Sequence, residues 1–118
     1  MVDLDIKRGE IFWVDLEPSI GSEIRKRRPC IIIQNDVGNR HSSTTIIAPF
    51  TSKMENKNLP VNVYVSKEES GLKEDGLILL GQIKVVDKLR LIKKVGYKLS
   101  KENMKIISDA IKISLAIE

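Results

Sequence analysis

The chain has 118 residues, 42% of them hydrophobic and 31% charged, with 20 Lys and Arg against 16 Asp and Glu for a net charge of +4. That size supports one hydrophobic core and a single domain, 1–118, and the balance excludes a disordered chain, while the apolar runs fall far short of the ~18 residues of a membrane span. Cys30 is the only cysteine and His41 the only histidine, too few for a disulfide or a zinc site. Acids interrupt Met1-Val-Asp-Leu-Asp-Ile-Lys-Arg8 where a signal peptide needs an apolar segment, so a cytoplasmic protein without metal or cofactor and without membrane contact is expected.

Lys7-Arg8-Gly9-Glu10 leads into Ile11-Phe-Trp-Val-Asp-Leu16, which reads as the first strand. A loop of roughly ten residues follows, longer than an ordinary hairpin connection, and loops of that kind often carry function. It ends in four consecutive cations, Arg25, Lys26, Arg27 and Arg28. Pro29 biases Arg28 toward an extended backbone, so Arg28 is the cation anchored by the strand behind it, Cys30-Ile-Ile-Ile33. Among isoleucines, Cys30 is expected to be a small core residue rather than a nucleophile. His41 is expected in a loop.

Further strands are predicted at Thr44–Ala48, Val61–Val65, Leu77–Leu80 and Ile83–Val86. In the Val61 segment the valines take one face while Asn62 and Tyr64 take the other. Six cations and one acid lie between Lys84 and Lys98, including Lys84 and Arg90. Together with Arg25–Arg28 they form either a polyanion footprint or two solvated faces, and charge alone does not separate these. After Tyr97 the apolar period becomes helical: Met104, Ile107, Ile111 and Leu115 recur, and Ser100 is a natural N-cap. The strands occupy about 8–96 and the helix about 100–117, so the chain is mainly β with a C-terminal helix, a compact barrel or sandwich.

Several pieces in register carry a resemblance: Arg8-Gly9-Glu10-Ile11-Phe12-Trp13-Val14-Asp15-Leu16, Gly21-Ser22-Glu23, Arg28-Pro29, Ile33-Gln34-Asn35-Asp36, Ala48-Pro49-Phe50-Thr51-Ser52, and Leu79-Leu80-Gly81-Gln82-Ile83-Lys84-Val85-Val86-Asp87-Lys88-Leu89-Arg90-Leu91. Over nearly its whole length the chain resembles the MazF/PemK toxin endoribonucleases, in the form found in Gram-positive bacteria. The resemblance implies an SH3-like β-barrel, a homodimer, metal-independent cleavage of single-stranded RNA, and neutralisation by an acidic, MazE-like antitoxin. It also implies a recognition site of about five bases, of the U-A-C-A-U type, read from unpaired bases by edge contacts and stacking.

Carried over residue by residue, Arg28 and Thr51 fall on the family's principal catalytic positions and Glu23 on an assisting one. A guanidinium fork and a hydroxyl suit the charge that grows on phosphoryl oxygens when a 2′-hydroxyl attacks phosphorus. Arg is a poor base, so Glu23 is the more credible proton acceptor. The RNA-binding set expected around them is Ser22, Arg25, Lys26, Arg27, Gln34, Asn35, Asn39, His41, Ser52, Leu59, Gln82, Lys84 and Arg90. The chain departs from its relatives in two places: Arg25-Lys-Arg27 stands where many have glycines, and Gly81 where many have an acid. Two other readings use similar folds, a gyrase poison of the CcdB type and an SH3-like peptide- or nucleic-acid-binding module. The Arg28 and Thr51 pair argues against the first, and an aromatic content of 4% against the second.

Overall fold

The computed structural model describes residues 5–118. The N-terminal residues Met1–Leu4, part of the segment read against a signal peptide, lie outside this range. Seven strands, β1 (Ile11–Asp15), β2 (Arg27–Ile32), β3 (Thr44–Thr51), β4 (Asn62–Val65), β5 (Gly76–Leu79), β6 (Lys84–Asp87) and β7 (Leu91–Val95), are joined by helices α1 (Asp36–His41), α2 (Lys67–Ser70) and α3 (Lys101–Ser114). All pairings are antiparallel, in the order β4-β5-β3-β2-β1-β7, and β6 pairs with the first half of β3. The outermost strands β4 and β7 do not pair with each other, so the expected barrel is an open one. β3 is the longest strand because it serves three neighbours: β6 through Thr44–Ile47, β2 through Ile47–Pro49, and β5 through Phe50–Thr51.

Strands β1 and β2 are buried on both faces, which is why they read as near-continuous apolar runs. Ile11 and Ile31, partners in register, pack with Phe50, Ile78 and Leu80 against Ile107 and Ala110 of α3. The opposite faces send Phe12, Val14, Cys30 and Ile32 into a second cluster with Ile47, Val86 and Leu91. Ile107 is fully buried, and truncating such a residue to alanine costs about 2–5 kcal/mol. Ser100 caps α3 by accepting the Asn103 N–H, as its sequence position implies.

Three elements differ from the sequence reading. β7 was hidden in the basic segment because Ile92, Lys93 and Lys94 face solvent, and a bulge at Trp13/Val14 breaks the period where β7 meets β1. α1 takes His41 out of a loop and makes it the exposed last residue of a helix capped by Asn35. Leu115, expected on the core stripe of α3, is the C-cap and is 56% exposed. Arg8 ties the ends together: its guanidinium donates to the Ile33 carbonyl and to Ser108 Oγ (2.9 Å), and its N–H to Asp36 Oδ1 (2.7 Å). That last bond holds the Asp36 carboxyl below its usual range. Among the described residues no helix is long and apolar enough to cross a membrane.

Candidate nucleic-acid interface

A groove of about 800 Å³ opens where the ends of four strands meet the loop after α2. Its floor follows from register: Trp13 pairs with Pro29 on one side and with Lys93 on the other, so the three side chains stand abreast on one face. Phe50 extends that apolar floor. Lys26, Arg27 and Arg28 form one wall, Thr51 and Ser52 the end of β3, and Gly71–Gly76 the far rim with Gly96. Gly96 must be glycine: at φ +63° a Cβ would sit 2.3 Å from the Ser70 carbonyl oxygen, the group that accepts the Tyr97 N–H at 2.7 Å.

The cations of this wall are available to a ligand. Among the described residues Lys26, Arg27, Arg28 and Lys93 have no carboxylate within salt-bridge distance. Arg28 is half-buried, and its Nε donates to the Arg25 carbonyl at 2.8 Å. Among the described residues neither of its terminal nitrogens has a hydrogen-bond partner. Thr51 Oγ1 accepts the Lys53 N–H at 3.2 Å, which leaves its own O–H free to donate. Burial pushes the Cys30 thiol behind this wall up to about 12, against the lowering influence of the Arg28 and Lys84 charges, so it is not a nucleophile. Among the described residues no three His, Cys, Asp or Glu side chains are arranged to hold a metal ion.

The loop between β1 and β2 holds one residue of the basic block in a conformation that favours glycine. Lys26 has φ +70°, a left-handed conformation that costs a non-glycine residue about 1–2 kcal/mol. It is held there at both ends: its N–H donates to Glu17 Oε1 (2.7 Å) and its carbonyl accepts the Leu16 N–H (3.0 Å).

Of the residues singled out in the sequence, Arg28, Thr51, Lys26, Arg27 and Ser52 converge on the groove. Glu23 does not line it; its carboxylate accepts the Ile20 N–H (2.7 Å) in an exposed turn beside Ser22. Gln82 Oε1 accepts the Ile24 N–H (2.7 Å), and the Arg90 guanidinium donates to the carbonyls of Asp15 and Glu17, so both grip the β1–β2 loop from below. Arg25 lies on the same loop, its Nε 4.0 Å from Glu17. Leu59 is exposed in the β3–β4 connection and Lys84 half-buried on β6.

Asn39 corrects the sequence reading. It is 2% exposed, and its amide bonds Gln34, Asp36 and Thr45, leaving no edge for a base. Gln34 spends its amide NH₂ on Asn39 and on the Thr44 carbonyl, and Asn35 its oxygen on the Gly38 N–H. The sequence does not assign Phe50 or the Gly71–Gly76 rim to this groove, whereas Trp13 is expected in it as an apolar anchor for the antitoxin.

Residues 7–115 match the family described as PemK-like, MazF-like toxin of type II toxin-antitoxin system. The chain is 41% identical over 112 residues to Endoribonuclease EndoA of Bacillus subtilis (strain 168), covering 95% of this chain and 96% of that protein. Its fold is similar to that of MazF from Deinococcus radiodurans (TM-score 0.80, 18% identity, 97% and 99% of the two chains). A mycobacterial endoribonuclease solved with its cognate antitoxin superposes with a TM-score of 0.79 at 20% identity, over 96% and 97%.

Proposed function

The chain belongs to the PemK-like, MazF-like toxin family of type II toxin–antitoxin systems, and from that premise we propose how it cuts single-stranded RNA. The observation that carries the reading is the convergence of Arg28 and Thr51 in one groove beside three unpaired cations and an apolar floor. The cations draw in the phosphodiester backbone, and Trp13 and Phe50 offer surfaces on which unpaired bases stack.

In the reaction the ribose 2′-oxygen bonds to the adjacent phosphorus as its proton passes to water. The P–O5′ bond breaks, and the 5′-oxygen leaves with a proton taken from water. The products are a 2′,3′-cyclic phosphate and a 5′-hydroxyl. Negative charge grows on the non-bridging oxygens, where the free terminal nitrogens of Arg28 and the Thr51 hydroxyl donate. Neither is a base at neutral pH. Glu23 serves this chemistry by closing its turn, since its carboxylate is bonded to the Ile20 N–H.

The wall that attracts RNA equally attracts the carboxylates of an acidic antitoxin, which would neutralise the toxin by occupying the groove. A homodimer is supported by α3 and the residues that follow it, where Ile106, Ile113, Leu115 and Ile117 are each more than half exposed beside an apolar cleft lined by Ile46, Ile83 and Ile111. Light scattering that returns 13.3 kDa at micromolar concentration would count against that assembly.

The test of the activity is incubation of the purified protein with a long RNA in EDTA, followed by mapping of the new ends. Cuts at a recurring sequence of about five bases, with 5′-hydroxyl termini, are expected. Cleavage that EDTA abolishes, or 5′-phosphate termini, would overturn the mechanism.

A further inference from the structure

The peptide group joining Arg25 to Lys26 is gripped on both sides. A trans peptide is planar, with its C=O and N–H pointing in opposite directions. Its carbonyl, that of Arg25, accepts from Arg28 Nε at 2.8 Å, and its N–H, that of Lys26, donates to Glu17 Oε1 at 2.7 Å. One rigid plane therefore connects a carboxylate to the guanidinium. Glu17 is itself fixed, because its carbonyl accepts from the Arg90 guanidinium, whose base lies across the loop. The left-handed Lys26 would relax to an ordinary conformation, and rotate that plane, if the carboxylate let go of its N–H. Hydrogen bonds in series also polarise one another, so a carboxylate on the N–H makes the carbonyl a better acceptor for Nε.

We infer that Glu17, acting through the Arg25–Lys26 peptide, is the positioning residue that aims the two terminal nitrogens of Arg28 at the scissile phosphate. This rests on the reading of Arg28 as the stabiliser of phosphoryl charge. What the plane requires of Glu17 is an acceptor oxygen, not a charge, and that separates positioning from electrostatics.

The experiment measures kcat and KM for Glu17→Ala and Glu17→Gln on an RNA carrying the mapped site, with melting curves for both. Glu17→Ala is expected to lower kcat about 10- to 100-fold, the scale of a slight misplacement of a catalytic group, with KM changed by less than about threefold. Glu17→Gln, which keeps an acceptor oxygen, should recover most of the loss. In an Arg28→Lys background, which has no Nε–H to hold, Glu17→Ala should cost about threefold or less. An undiminished kcat in Glu17→Ala, a Glu17→Gln as poor as Glu17→Ala, or an equal cost in the Arg28→Lys background would each overturn the inference. If Glu17→Ala does not fold, Glu17→Asp, whose oxygens are drawn back by one methylene, replaces it with the same expected split. Arg28→Ala is the control: wild-type cleavage by that variant would sink the reading of Arg28 itself, whereas its inactivity beside a fully active Glu17→Ala would remove only the role of Glu17.

Discussion

Replacing Arg28 with lysine tests geometry at constant charge. The arginine spends Nε on the Arg25 carbonyl and keeps two terminal nitrogens for the phosphoryl group. A lysine ammonium is a single point on a flexible stem and cannot satisfy the carbonyl and span two phosphoryl oxygens at once. The transition state therefore loses at least one charge-assisted donor, a loss of about 2.7–4 kcal/mol or 10²- to 10³-fold in kcat. Binding, set by charge, should hold: KM and the slope of affinity against salt are expected to stay close to wild type. The fold loses one exposed hydrogen bond, about 0.5–1.5 kcal/mol, so the melting temperature should drop by only a few degrees. Initial rates on a quenched fluorescent oligonucleotide carrying the mapped site, taken at two ionic strengths, separate these quantities. Turnover by Arg28→Lys within about threefold of wild type would refute the argument from the fork.

At Thr51 the hydroxyl is the working group, so Thr51→Ser is expected to keep turnover within about tenfold and Thr51→Val to lose about 10²-fold; equal rates for the two would remove the hydroxyl from the mechanism. The buried Cys30 thiol stays protonated to about 12, whereas the unfolded chain releases its proton around 9.0. Below that window the thiol is neutral in both states; within it the native state binds more protons, and stability falls with rising pH by up to about 4 kcal/mol. Urea unfolding at stepped pH should show this loss in wild type and not in Cys30→Ala, and parallel curves would contradict it. Gly81→Glu introduces the acid that the resemblance leads one to expect beside Gln82. An added Cβ meets only Val61 Cγ2 at 3.7 Å, so the variant should melt within about 2 °C of wild type while its cleavage sites shift in base preference. Unchanged sites would detach Gly81 from specificity.

Strands β1 and β2 are legible as short apolar runs, β4 by its period of two and the C-terminal helix by its period of 3.6, and Ser100 announces where the helix starts. β7 is not, since the three residues that point outward are two lysines and a bulged isoleucine. α2 carried a readable signal, Ser66 three residues before Glu69, which forms a capping box; α1 carried Asn35 as its cap. In the site, Arg28 and Thr51 were reachable through the resemblance. Asn39 is buried away from any base, which sequence does not show because an amide looks the same whether it faces a base or the protein's own polar groups. Glu17 was invisible because its partner is a main-chain N–H nine residues away, and the far rim of the groove because only tertiary packing brings Gly71–Gly76 opposite Arg28.

The pairing of β1 with β7 sets a clock on the toxin's birth. Trp13 and Lys93 face each other across that pair, so the groove they floor cannot close until the ribosome has added the 80 residues that follow Trp13, up to and including Lys93. At about 5–20 residues per second, that interval is roughly 4–16 seconds. For most of that interval the basic wall, Lys26 to Arg28, has been made without the β7 strand that faces it across Trp13. Cleavage of RNA is therefore expected only once nearly the entire polypeptide has been made, and a product truncated before β7, lacking the Lys93 side of the groove, is expected to be inactive.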